Sequence, residues 1–301
     1  MTVQSLEASP DQQGQSARSG SSLWRNAMRR LVRNKAAMGG LIILVIITAL
    51  AILAPILSRH AMDEVFWDRI EAPPDFANGF YFGTDSNGRD LFARTLYGAR
   101  ISLMVGLLAS LVSLVIGVTY GAVAGFIGGR IDNLMMRIVD ILYSLPFMFF
   151  VILLMVFFGR NIFMIFIAIG AISWLDMARI VRGQALALKH REFIEAARAF
   201  GVSNSAIVRR HIVPNLLGPV MVFVTLTVPQ VILLESFLSF LGLGVQEPMT
   251  SWGVLISDGA RDMEAAPWSL IFPAAFLGIT LFALNFLGDG LRDALDPKDH
   301  R

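Results

Sequence analysis

EFIEAARAFGVSNSAIVRRHIVP, residues Glu192 to Pro214, is the stretch from which the rest of the chain is read. It is the longest polar interruption in the second half of a very apolar sequence. Its first part has helical periodicity: Phe193, Ile194, Ala197 and Phe200 share one face, and Arg191, Glu192, Glu195 and Arg198 the opposite one. Gly201 ends that helix, because only glycine takes the left-handed cap without steric cost. Ser203 is placed to cap a second helix, with Ile207, Val208, His211 and Ile212 along one side. Pro214 sets the next boundary, where a hydrophobic span begins. The expectation is two short helices at an angle, held between two membrane spans. By itself the stretch also fits an amphipathic helix lying on a bilayer surface.

Composition narrows the choice. Of 301 residues, 55% are hydrophobic and 16% charged, whereas soluble domains carry about a quarter charged. Mean hydropathy is +0.63. The chain reads as an integral membrane protein. It has no cysteine, which excludes disulfides and thiolate metal sites, and its four histidines are scattered. No apolar core precedes Gly39, so no signal peptide is expected.

Residues 1–22 are rich in Ser, Gln and Gly and are expected to form a disordered tail. Trp24 to Lys35 reads as a basic interfacial helix, with Arg25, Arg29, Arg30, Arg33 and Lys35 suited to anionic headgroups. A nucleic-acid role fits less well, because the run adjoins a hydrophobic span. Six spans follow: Gly39–Leu57, Ile101–Ile127, Ile138–Phe158, Ile162 to about Val181, Asn215 to about Gly242, and Trp268–Leu287. The second is rich in glycine (Gly106, Gly117, Gly121, Gly125), which lets helices approach closely. The expected organisation is an N-terminal tail (1–22), a basic helix with the first span (23–57) and an external loop (58–100). A permease core (101–290) follows, including the loops 182–214 and 245–267, and then a C-terminal tail (291–301).

Lys and Arg divide unevenly between the two sides. With the N-terminus inside, 18 of the 25 fall inside and 7 outside, so both termini and the Glu192–Pro214 loop are expected to be cytoplasmic. In the first external loop, Gly83, Asp85, Asn87 and Gly88 read as tight turns, and Asp90 as the cap of the next helix. Glu235 is the intramembrane charge of most interest. It is expected near the outer side, where it lines a pathway, makes a helix-packing contact, pairs with a neighbouring subunit or is hydrated. Asp140 and Asp176 are read as solvated or capped positions near the cytoplasmic ends of their spans.

Glu195-Ala196-Ala197, three further residues, Gly201, and twelve more to Pro214 resemble the EAA motif of ABC-importer permeases. The family often has Ile where His211 stands and Leu where Val213 stands. GTDSNGRD (Gly83–Asp90) followed by YGARISL resembles the periplasmic mouth of the peptide-type permeases. ESFLSFLGLG (Glu235–Gly244), SWG (Ser251–Gly253) and NFLGDGLRDALDP (Asn285–Pro297) are similar to the dipeptide/oligopeptide family, most of all to its oligopeptide C subunits. The tail reads as a helix end, a break at Gly288-Asp289-Gly290, and a short polar helix stopped by Pro297.

The resemblance implies an all-α type I importer permease fold with six transmembrane helices and a cytoplasmic coupling helix. It implies pairing with a homologous permease, two ATPase subunits beneath, an external peptide-binding protein, and alternating access as mechanism. Glu195, Ala196 and Ala197 would form the docking helix, Gly201 its bend, and Pro214 the start of the next span. Glu192 and Arg198 would make rim contacts. Asp85, Arg89 and Asp90 would meet the binding protein. The chain has no GxxxxGK[ST] pattern, so ATP and Mg are assigned to the partners, and no cofactor, metal or catalytic activity is expected here. Permeases for dipeptides, nickel, glutathione or opines share the architecture. An ion-driven transporter would need buried charge pairs and an inverted repeat, neither of which the sequence displays. An intramembrane enzyme would need a His, Ser or Asp constellation in the spans, and no His lies within one.

Overall fold

The computed structural model describes residues 20–159 and 161–295. The disordered reading of 1–22 (apart from Gly20–Ser22), the place of Arg160 and the stop at Pro297 lie outside those residues. Among the described residues the chain is helical, with three isolated β-bridges in the loop before the longest helix.

Helix α1 (Gly20–Arg33) buries Ala27 and Leu31. Asn34 breaks it: its side chain accepts from the Ala36 and Ala37 amides and so caps α2 (Lys35–Leu57), an almost wholly apolar span. A loop of turns leads to α3 (Leu91–Ile127), ten residues longer at its start than the apolar run Ile101–Ile127. Asp90 allows this by accepting from the Phe92 and Ala93 amides.

The glycines of α3 set the packing. A methyl group on Gly117 would stand 2.5 Å from Met177 Cβ, and one on Gly125 would stand 2.6 Å from the Arg182 carbonyl oxygen. Both contacts are on α6 (Ile162–Lys189). Glycine every four residues thus gives α3 a flat stripe on which α6 lies, and this is the most extensive helix pair in the fold.

The run Ile138–Phe158 is not one straight helix. It splits into α4 (Gly129–Ser144) and α5 (Phe147–Phe158), bent by 81°. Pro146 has no amide to donate, and it holds Leu145 extended (φ −74°, ψ 130°). At twelve residues α5 is about 18 Å long, too short to cross hydrocarbon alone. Among the described residues, five helices are long and apolar enough to cross a membrane, or six if the bent pair counts as one.

Two further boundaries move. After the short helices α7 (Glu192–Ala199) and α8 (Asn204–Ile207), a π-helical turn (Val208–Ile212) runs directly into α9 (Val213–Phe240). Pro214 therefore starts no new span: Asn204–Phe240 is one helical path. The wider turn absorbs the amide that proline lacks, and Asn215 Nδ2 donates to the His211 carbonyl at 2.6 Å. After α10 (Trp252–Arg261), α11 (Trp268–Leu295) passes straight through Gly288-Asp289-Gly290. Those glycines do not break the helix. They let α11 approach Leu226 of α9 and Ala37 of α2.

Candidate functional site

The Glu192–Pro214 loop closes one end of the helix bundle. Lys189 Nζ donates to the Ile127 carbonyl at 3.0 Å, tying the ends of α6 and α3 together. Arg191 turns the chain, and α7 follows with Glu192 and Glu195 in its first turn, where the helix dipole favours negative charge. The end of α7 is a Schellman closure. Val202 N–H donates to the Ala197 carbonyl, Gly201 N–H donates to the Arg198 carbonyl, and Gly201 sits at φ +74°. Ser203 makes no side-chain cap to α8.

The two faces of α7 differ from the sequence expectation. Ile194 and Ala197 are buried, and with Ile207 and Ile212 they join Val118, Ala122 and Phe126 of α3, Met177, Val181 and Ala185 of α6, and Leu216 and Val220 of α9 in one core. Phe193 and Phe200 face outward instead, with Phe200 87% exposed. Ala196 is exposed but Ala197 is not, so only one of the two alanines lies on the outer surface. Glu192, Glu195 and Arg198 are exposed, and the Arg198 guanidinium lies 5.1 Å from the centre of the Phe126 ring. The outer face is a small apolar-and-charged platform. The inner face is fastened to three long helices at once.

The other candidate residues lie at the opposite end of the bundle. Asp85 Oδ1 accepts from the Asn87 and Arg89 amides, and its Oδ2 accepts from Arg89 Nε, all at 2.9 Å. Arg89 Nη1 then donates to Glu247 at 2.7 Å. That hydrogen bond holds the Glu247 carboxyl below its ordinary 4.5. Arg94 is fully buried with Nε 3.3 Å from Asp85 Oδ2, an ion pair that lacks hydrogen-bond alignment. Asp90 is also fully buried, with His60 Nδ1 3.0 Å from its Oδ2, and burial raises its pKa. Asp85, Arg89 and Asp90 are all buried; Asp85 and Asp90 find partners within the loop, and Arg89 reaches out of it to Glu247. Asp75 supports the same loop. It accepts from Asn78 and Arg69, which lowers its pKa to about 2.

Of the alternatives for Glu235, the chain by itself makes the helix-packing contact. Glu235 is fully buried, accepting from Ser239 Oγ at 2.7 Å and Ser102 Oγ at 3.1 Å. Ser102 in turn accepts from the Trp252 amide. The carboxylate thus joins α3, α9 and α10. Asp140 does sit at an exposed helix face, paired with Arg179 at 2.8 Å. Asp176 lies mid-helix rather than near an end.

Sequence reasoning missed the fork of Arg182 on Asp132, the Glu247 partner of Arg89, and the π-turn. A polar residue at each end of two adjacent spans was a signal for the fork. The other two had none.

A family model described as "binding-protein-dependent transport system inner membrane component" matches residues 117–300. The chain belongs to this family. A second model, for the N-terminal TM domain of oligopeptide transport permease C, matches residues 22–74 of this inner membrane component. The chain is 62% identical over 280 residues to the oligopeptide transport system permease protein OppC of Escherichia coli strain K12, which covers 93% of both chains. It is 48% identical to the dipeptide transport system permease protein DppC of Bacillus subtilis strain 168, over 92% of this chain and 86% of that one. It is 38% identical to the glutathione transport system permease protein GsiD of Pectobacterium atrosepticum, over 91% of each.

Proposed function

We propose that this inner membrane component carries oligopeptides inward as one of two homologous permease subunits of an ATP-driven importer. ATP and Mg reside in two ATPase subunits docked beneath, and a periplasmic peptide-binding protein delivers the cargo. The chain itself is not the ATPase. Both termini and α7 lie on the cytoplasmic side, as the distribution of Lys and Arg supports.

The observation that carries this reading is the two-sided character of α7. Phe193, Glu195, Ala196 and Phe200 form an exposed platform of the kind a groove on an ATPase accepts. Ile194, Ala197, Ile207 and Ile212 are packed into α3, α6 and α9. Packed cores are stiff, so a push on the platform moves the ends of three spans together. Closure of the ATPases on ATP becomes rocking of the bundle, which opens the path inward on return.

The test is reconstitution in proteoliposomes with the partner permease, the ATPases and the binding protein. Uptake of a labelled oligopeptide that requires ATP and the loaded binding protein supports the reading. Uptake of dipeptide or glutathione alone would move the cargo to the second reading, which the relatives named for those cargoes favour.

A further inference from the structure

Halfway along the bundle, α6 and α9 leave a recess of about 160 Å³ between them. Ile172, Ser173 and Asp176 line it from α6, and Phe223, Thr227 and Gln230 are among those lining it from α9. On α9 the lining recurs at helical spacing, so one face of that helix is given over to it. Asp176 lies about 20 Å from either end of α6, at 1.5 Å per residue. It is exposed, and so is Gln230.

Among the described residues, neither Asp176 nor Gln230 has a hydrogen-bond or ion-pair partner. The nearby hydroxyls are already engaged: Ser173 Oγ donates to the Ile169 carbonyl, and Thr227 Oγ1 donates to the Phe223 carbonyl. The next two cations on α6 are engaged as well, Arg179 with Asp140 and Arg182 with Asp132. A carboxylate facing lipid at this depth is costly, so it faces a hydrated cavity or a cationic group.

We infer that the Asp176–Gln230 recess is a station on the peptide path that holds the α-ammonium of the cargo on Asp176 and its first peptide group on Gln230. This rests on the oligopeptide reading above. A path that passes many sequences can hold only what all of them share, namely the ammonium, the terminal carboxylate and the backbone amides. An unpaired carboxylate beside a carboxamide, which both donates and accepts, matches the first and last of these. The grease of Phe223, Ile172 and Leu234 around them takes any apolar side chain without selecting among them.

The test uses the complete transporter in proteoliposomes with its binding protein saturated. Initial uptake of trialanine is compared with that of its des-amino analogue, for the natural chain and for Asp176→Asn. Loss of one charge-assisted hydrogen bond predicts about a tenfold drop in trialanine uptake, with the des-amino rate unchanged and Asp176→Glu restoring most of the loss. Equal losses for both cargoes would instead mean that Asp176 meets the partner permease, and no loss for either would remove it from the path. Both outcomes overturn the inference. If the natural complex imports no oligopeptide at all, the prior functional reading has failed instead. A second measurement does not depend on the analogue. The chain has no cysteine, so Asp176→Cys gives it a single thiol. Its reaction with a cationic thiol reagent should be slowed severalfold by trialanine-loaded binding protein with ATP, and not by empty binding protein. A thiol that is unreactive, or whose rate the cargo does not change, contradicts the proposal.

Discussion

Arg182 grips Asp132 with two prongs, Nε to Oδ1 at 2.5 Å and Nη2 to Oδ2 at 2.7 Å, across fifty positions of sequence. The carboxylate is nearly buried and the guanidinium a third exposed. The pair clamps α4 against α6 at the end of the bundle that carries α7.

Arg182→Ala leaves the Asp132 carboxylate buried without its cation. The expected cost is about 1–3 kcal/mol, read as a lower thermal midpoint of the purified complex. Arg182→Lys should recover only part of it, because a single ammonium cannot reproduce the fork. A lysine variant as stable as the natural chain would show that the two-pronged geometry contributes nothing.

The two faces of α7 should respond differently to truncation. Ile194→Ala opens a cavity in the core shared by α3, α6 and α9 and should destabilise the chain by about 2–5 kcal/mol. Phe200→Ala removes an exposed side chain, so the chain alone should melt unchanged. The same change should weaken ATPase association by about 2 kcal/mol, roughly thirtyfold, as read by titration of the ATPase onto the permease pair. If Phe200→Ala lowers the melting point and leaves association intact, the faces are assigned the wrong way round.

Gly201 adopts φ +74° with open space around its missing Cβ. Gly201→Ala therefore meets backbone strain and no clash, at about 1–2 kcal/mol. Transport should fall more than thermal stability does, because the strain falls on the hinge between α7 and α8. Equal, small effects on both would place no coupling role in the turn.

The Arg89–Glu247 pair links the loop before α3 to the segment before α10. Glu247 releases its proton more readily when folded, because Arg89 donates to the carboxylate. Its stabilising effect is then complete above its ordinary 4.5 and is lost as pH falls through the lowered folded value. The difference in thermal midpoint between the natural chain and Glu247→Gln should be constant from neutral pH down to about 5 and vanish in stronger acid. A difference that grows on acidification would reverse the sign of the linkage.

Much of this architecture was legible in the residues, and the failures share physical causes. The spans α2 and α11 hold long uninterrupted apolar runs, and hydrophobic length alone finds them. Their ends were harder. Gly288 and Gly290 read as a break, yet glycine serves close packing as readily as chain reversal, and only the neighbouring helix decides which. Pro146 lies within an apolar run whose hydropathy hides the bend, whereas Pro214 looked like a boundary but follows a π-turn that accommodates it. In α7 both Phe193/Phe200 and Ile194/Ala197 are apolar and lie about 80° apart on the helix, so periodicity could not say which pair turns inward. Asp85, Arg89, Asp90 and Glu235 stand out in the sequence by their charge, which does not say what they bind. Their partners Glu247, His60 and Ser102 lie 30 to 158 positions away, beyond the reach of local pattern.

The most direct test of the account is ATP hydrolysis by the reconstituted complex carrying Glu195→Lys, with and without peptide-loaded binding protein. Glu195 lies on the exposed face of α7 and is not part of its core. The account predicts a complex that folds and reaches the membrane in normal amounts, retains basal hydrolysis, and loses both its stimulation by loaded binding protein and its peptide uptake. Normal stimulation with normal uptake would contradict it, leaving α7 as an interfacial helix with no part in coupling.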